Sequence, residues 1–295
     1  MNYWSKYILS TSIDEALQAL SAAPGPARPV AGGTDLLLDL QQGHQTPVHT
    51  LVDISRIPEM QSLELRGERL FIGAGVAVSA IATSPLVIKH AQAVAEACAL
   101  IGGPQVRNTA TLGGNVAHAL PAADGTIGLV AADASVEIAG LSGRRIMPIL
   151  ELFRGVGRTV ICDTVELVVG FHIPVRKPGQ ASAFFRVMRP QGVALPVINL
   201  AAWLERQGDQ INDIRIGVGP AGTTPQRAPA IEAALRGELF GPSAIQKAQG
   251  LVDDTLHFRS SAARATAAYR YHLCKILLED ALTMAWERCL LPVEE

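Results

Sequence analysis

The apolar residues of this chain recur at helical spacing in some stretches and in short branched runs in others, and these patterns predict its elements. Residues 12–23 (SIDEALQALSAA) have helical periodicity, with Ser12 placed as N-cap and Glu15 completing a capping box. Arg28-Pro29-Val30 reads as a short strand. It runs into Ala31-Gly32-Gly33-Thr34-Asp35, a glycine turn, and then into an apolar helix capped by Thr34. Residues 50–54 form a short buried strand, and 63–65 with 70–72 a hairpin about Arg66-Gly67-Glu68. Residues 84–102 predict one helix, opened by Ser84 and Pro85 and stopped by Gly102. A further helix is expected near 123–132, and strands return at 135–139 and 164–173.

Residues 172–182 (HIPVRKPGQAS), rich in proline, glycine and basic side chains, mark a boundary. It divides the chain into domains 1–175, with subdomains of about 1–60 and 61–175, and 176–295. Beyond it strands are expected near 183–188, 196–205 and 211–218, and helices near 228–236, 242–257 and 261–289. The fold class is α+β.

Composition narrows the function classes. Hydrophobic residues at 48% and charged residues at 18% suit a chain with well-buried cores, and the net charge of −2 gives no electrostatic reason to expect nucleic acid or anionic membranes. No apolar run reaches the length of a membrane span, and the expected location is cytoplasmic. Cys98, Cys162, Cys274 and Cys289 lack the close spacing of iron–sulfur or zinc ligands, so no metal is expected on this chain.

The chemistry resides in the glycine-rich stretches. Ala31-Gly32-Gly33-Thr34-Asp35 and Thr111-Leu112-Gly113-Gly114-Asn115 share one local pattern. Glycine pairs remove Cβ atoms from a ligand's path and let successive N–H groups converge on an anion. Two such loops suit a dinucleotide pyrophosphate gripped from both sides. The segment around Gly73-Ala74-Gly75 is not a Rossmann fingerprint, because Val78 stands where the third glycine belongs and no acidic residue follows at the required distance. P-loop, HExxH and GxSxG motifs are absent from the sequence.

Those two loops, with Ile72-Gly73-Ala74-Gly75-Val76 and the longer run 107–115 (RNTATLGGN), resemble the medium, FAD-binding subunit of the molybdenum hydroxylases. That family includes the flavoproteins of carbon monoxide dehydrogenase and of xanthine dehydrogenase, and residues 225–237 and 268–278 resemble its C-terminal domain. The resemblance implies a two-subdomain α/β FAD-binding region of the PCMH/vanillyl-alcohol-oxidase type, followed by an antiparallel sheet with helices. Ala31, Gly32, Gly33, Thr34 and Asp35, and on the second loop Thr111, Gly113, Gly114 and Asn115, would offer amides to the pyrophosphate. Asp124 would accept from ribityl or ribose hydroxyls, and Gly73 would lie near the adenosine half.

The implied activity is that of an oxidoreductase subunit. Iron–sulfur clusters on a small subunit and a molybdopterin cofactor on a large subunit would feed electrons to this flavin, which passes them to an external acceptor, within a complex able to dimerise. Leu120, where the family often has serine, and Arg186, where lysine is common, depart from the pattern. His118 is weighed as a flavin neighbour against a packing residue, and Arg107 and Asn108 as ligand contacts against structural ties. For Arg186 and Arg189 the alternatives are the flavin or a subunit interface, while Tyr269 and Arg270 are expected to lock the C-terminal helices. Two other readings remain open on the sequence: a self-sufficient FAD-dependent oxidoreductase, and a scaffold subunit without flavin.

Overall fold

The computed structural model describes residues 3–189, 195–262 and 264–292. The outermost residues of both expected domains, and residue 263 within the expected last helix, lie outside the described residues.

Three strands open the chain: β1 (Trp4–Leu9), β2 (Ala27–Val30) and β3 (Val48–Asp53). They form a parallel sheet in the order β1-β3-β2. The central β3 carries Val48, Leu51 and Val52 in the interior because both of its edges and its apolar side chains are covered. Helix Ile13–Ser21 joins β1 to β2, and it has the predicted start: Ser12 Oγ accepts from Glu15 N at 3.2 Å, and Glu15 Oε2 accepts from Thr11 N.

The next strands are β4 (Leu63–Arg66), β5 (Arg69–Gly73), β6 (Ser135–Gly140), β7 (Gly143–Pro148) and, after a two-stranded ribbon of β8 (Phe153–Gly155) and β9 (Arg158–Thr159), β10 (Glu166–Pro174). Apart from the ribbon, they make an antiparallel sheet in the order β4-β5-β10-β6-β7. The parallel and antiparallel sheets share one core, in which Ile13 and Leu17 join Phe71, Val136 and Phe171.

The C-terminal sheet is β11 (Gln180–Met188), β12 (Pro196–Gln207), β13 (Gln210–Gly219) and β14 (Gln226–Arg227), antiparallel and in chain order. Its period-two alternation serves two faces. Leu200, Ala202 and Leu204 join the core beneath the long helix Ala267–Arg288, while Ala201 and Phe184 pack with Ala93, Ala97, Ile127 and Ala131 of the N-terminal half. Burial on both faces explains why β12 is almost continuously apolar. Polar staples reinforce this seam: Ser182 Oγ accepts from Ala93 N at 3.0 Å, and Glu96 accepts from Phe184 N at 2.9 Å and from Arg288.

Several expected elements are revised. The helix over 84–102 is two, Pro85–His90 and Gln92–Ala99, broken at Ala91. The break leaves Ala93 N free to donate to Ser182, a partner supplied by a distant strand. The last helix starts at Ala267, capped by Thr266, rather than at 261. Helices Val78–Thr83 and Leu112–Ala117 and strands β1 and β7 have no counterpart in the sequence-based expectation.

Candidate functional site

The first glycine loop connects β2 to helix Leu36–Gln42. Gly33 has φ of +66°, a left-handed conformation that a side chain would strain, and a Cβ there would also press on Leu37 and Val30. The expected cap is corrected. Asp35, not Thr34, precedes the helix, and it makes no side-chain capping bond. Among the described residues, the backbone N–H groups of Gly32, Gly33, Thr34, Asp35 and Leu36 donate to no protein acceptor, whereas Gly33 O accepts from Leu37 N at 3.0 Å and Asp35 O from Asp39 N at 2.9 Å. Residues 32–34 are half-buried and Asp35 is exposed, so this run of unmatched donors opens to the surface at the positive end of a helix.

The loop abuts the second motif directly. A Cβ on Gly32 would lie 2.0 Å from Thr109 O and 3.0 Å from Ala110 Cα, so glycine is what allows the two segments to touch. Sequence reasoning brought these stretches together only through a shared ligand; the backbone contact does so within the protein.

The second motif has a different physical basis. Thr111 is the N-cap of helix Leu112–Ala117, its Oγ1 accepting from Gly114 N at 3.1 Å. Gly113 N donates to Ala74 O at 2.9 Å, Leu112 N to Val76 O at 3.3 Å, and Asn115 N to Thr111 O at 3.0 Å. The expectation that Gly113, Gly114 and Asn115 present free amides is therefore corrected, because each already has a partner in this chain. Gly113 is glycine for closeness: a Cβ would sit 2.6 Å from Ala74 Cβ and O. Gly114 is exposed and would meet only Thr111 Oγ1, at 3.2 Å. The Asn115 side chain caps another helix, Oδ1 accepting from Thr126 N at 3.2 Å.

Gly73 is buried and donates to Ser62 O at 2.8 Å. A Cβ on Gly73 would lie 2.3 Å from Met60 O, so its reason for being glycine is again packing. Asp124 is 4% exposed, and its carboxylate is held by groups of the C-terminal half. Oδ2 accepts from Arg186 Nη1 at 2.5 Å and Oδ1 from Asn199 Nδ2 at 2.7 Å, while Asn199 also donates to Ala122 O at 3.0 Å. Burial pushes the Asp124 pKa up to about 6, against the opposing pull of Arg186 and Asn199. Both oxygens are thus engaged across the seam, rather than open to a ligand's hydroxyls as expected. Asn199 was missed, because only the tertiary fold sets it against Asp124.

The remaining candidates resolve similarly. Arg107 Nη1 donates to Ile101 O at 3.2 Å and Gly102 O at 2.7 Å, a structural tie. His118 is half-buried just past the end of helix Leu112–Ala117, and Leu120 is half-buried nearby in the chain. Cys98, Cys274 and Cys289 are buried, and Cys162 is exposed. No group of three or more metal-ligating side chains occurs among the described residues. No helix of the described residues is long and apolar enough to cross a membrane.

Comparison with known proteins places this geometry. Residues 3–176 match the family described as the FAD binding domain in molybdopterin dehydrogenase. The chain belongs to the FAD-binding medium subunits of the molybdenum hydroxylases, and it is thus a subunit of an oxidoreductase. Residues 183–285 match the CO dehydrogenase flavoprotein C-terminal domain. Similar proteins include the carbon monoxide dehydrogenase medium chain of Hydrogenophaga pseudoflava, 30% identical over 96% of this chain and 98% of that one. A putative xanthine dehydrogenase FAD-binding subunit of Escherichia coli is 27% identical over 96% of each chain. The solved carbon monoxide dehydrogenase of Hydrogenophaga pseudoflava superposes with a TM-score of 0.90, covering 96% of this chain and 98% of that one at 30% identity.

FAD, the family's cofactor, can be tested against these residues. Its pyrophosphate needs amide donors not already spent within the chain, and the five amides of residues 32–36, unmatched among the described residues, supply them. The exposed face of Gly114 leaves the adjoining surface free of side-chain bulk. The residues fit the group.

Proposed function

We propose that this chain is the FAD-binding electron-transfer subunit of a molybdenum hydroxylase complex, taking electrons from an iron–sulfur small subunit that is itself fed by a molybdopterin large subunit. The reading rests on one observation: a run of N–H donors at 32–36 with no acceptor among the described residues, set against the backbone of Thr109 and Ala110.

In this reading Gly32, Gly33, Thr34 and Asp35 hold the pyrophosphate through their amides, and Ala31, packed against the neighbouring core, fixes where the loop leaves β2. The Asp35 side chain contributes little, since its carboxylate repels phosphate. Gly113, Gly114 and Asn115 build the opposite wall through a close-packed helix start rather than through free amides, and Thr111 caps that start through its Oγ1. Gly73 supports that wall from behind, because Ala74, its neighbour, receives the Gly113 amide. Asp124 locks the wall to the C-terminal domain through Arg186 and Asn199. Bound FAD supplies exchange between one-electron carriers and a two-electron acceptor; the protein's own part is binding, orientation and exclusion of water. Such a task needs no acid–base pair on this chain.

The proposed division of labour assigns residues 1–175 to the cofactor and 176–295 to the seam and partner contacts. A mild pull-down of the tagged chain from its native cells, with flavin, iron and molybdenum analysis, is the test. The expected result is one FAD per chain, with iron- and molybdenum-bearing subunits retained. A colourless chain that takes up no added FAD would overturn the cofactor assignment. A yellow chain that never retains metal-bearing partners would overturn the complex.

A further inference from the structure

A cavity of about 210 Å³ lies against the break between helices Pro85–His90 and Gln92–Ala99, and its lining comes from both halves of the chain. Ala91 and Ala132 leave the space open with their small side chains. Ile173 and Pro174 at the end of β10, Val175 just beyond it and Trp203 of β12 give the cavity an apolar wall.

The charged part of the lining has one sign. Lys177 and Arg215 contribute cations, and no Asp or Glu lines the cavity among the described residues. The Arg215 guanidinium lies over the Trp203 ring, 4.0 Å from its centroid, which fixes it against the apolar wall. Its Nη2 is 3.4 Å from Asp213 Oδ2, but Asp213 is shared with Arg236 Nε at 2.8 Å. The ion-paired lysines are Lys247 and Lys275, so Lys177 has no such partner among the described residues. An adjoining crevice shares His90, Ser182 and Trp203 with the cavity and adds Lys89 and Arg176. Arg176 donates to the carbonyl oxygens of Gln180, Arg288 and Leu291, which hold the guanidinium without neutralising it. Glu205 is taken by the side-chain amides of Gln180 and Asn212.

Two neutral groups complete the lining. Ser182 Oγ accepts from Ala93 N at 3.0 Å, which leaves its O–H able to donate. Burial, with Lys89 and Arg176, holds the pKa of His90 below its ordinary value, so this half-buried ring is neutral near pH 7 and adds no charge.

We infer that the cavity binds a small organic carboxylate, its charged end at Lys177 and Arg215 and its apolar body against Ile173, Pro174, Val175 and Trp203. An apolar wall with a few polar groups at one side is how small-molecule sites fix orientation. A guanidinium meets a carboxylate with paired N–H donors, and a monoanion offsets the excess positive charge. Residues 31–35 and 111–115 contribute nothing to the lining, so the site stands or falls separately from the proposed function.

The test is isothermal titration calorimetry of the purified full chain, with its flavin content monitored. Benzoate is the probe; benzamide, acetate and inorganic phosphate are titrated in parallel. Benzoate is expected to bind one site per chain with a Kd below about 1 mM. Benzamide, which lacks the charge, and acetate, which lacks the apolar body, should bind at least about five-fold more weakly. Arg215→Met should weaken benzoate by about ten-fold, the loss of one charge-assisted contact. Lys177→Met, at an exposed position that leaves the fold intact, should weaken it by about five-fold. The flavin absorption bands should not move. No saturable heat up to about 10 mM benzoate, wild-type affinity in either variant, or benzamide, acetate or phosphate bound as tightly as benzoate overturns the site. A benzoate-induced shift of the flavin bands places the binding at the cofactor instead and overturns it as well.

Discussion

The two glycine motifs look alike in one dimension and differ in three. In residues 31–35 the glycines free the backbone: Gly33 takes a left-handed turn, Gly32 lets the loop rest on Thr109, and the amides beyond them stay unmatched among the described residues. In residues 111–115 they serve contact: Gly113 packs on Ala74, and the amides of residues 112–115 are engaged. In the proposed reading one motif binds and the other supports, although both read as Gly-Gly followed by a polar residue. A glycine pair reports where a Cβ is unwelcome. What the missing Cβ makes room for is decided by the surroundings.

The contrast can be broken by substitution. The largest effect is expected from Gly32→Ala, whose Cβ would lie 2.0 Å from Thr109 O and drive the loop off its support. FAD retention should fall by roughly 100-fold, on the order of 3 kcal/mol, read as the flavin-to-protein ratio after gel filtration. Retention within two-fold of wild type would show that the loop is not the binding element. Asp124→Asn comes next. Its carboxyl pKa is raised to about 6 from 3.8, so the folded state binds a proton more tightly than the unfolded one. The stability from this group is full below about pH 4 and is lost as pH rises through about 6. The advantage of wild type over Asp124→Asn in urea melts should therefore shrink by roughly 3 kcal/mol between about pH 4 and 7. A growing advantage would mean that Arg186 outweighs burial.

A sharper comparison pairs Gly113→Ala with Gly114→Val. The first meets Ala74 at 2.6 Å and should cost about 1–3 kcal/mol of stability, seen as a lower Tm of the apoprotein. The second has only Thr111 Oγ1 nearby and should leave the apoprotein Tm nearly unchanged while reducing FAD binding. If Gly114→Val purifies fully yellow, the second motif does not face the cofactor. The smallest effect is expected at Asp35, which is exposed and makes no capping bond. Asp35→Ala should change stability by less than about 0.5 kcal/mol and, by removing a repelling charge, tighten FAD slightly in equilibrium titration. A marked loss of FAD would give that side chain a direct role.

Much of the local structure was legible in the sequence because its causes are local. The Ser12–Glu15 box, the strand periodicities and the last helix follow from interactions within a few residues. The helix over 84–102 was misread because the bond that stabilises its break comes from Ser182, 89 residues from Ala93 in the chain. Helix Leu112–Ala117 was missed because two glycines oppose it in isolation; Thr111 and the contact with Ala74 compensate.

Residue identity at fixed spacing was enough to settle the family, the order of most elements and the places where side chains had to be absent. It could not settle which amides remain free, because a donor is free or engaged only by virtue of what the rest of the chain brings against it. Packing also turned Asp124 from an expected ligand acceptor into a buried lock with Arg186 and Asn199, since burial and pairing are properties of the seam rather than of the aspartate.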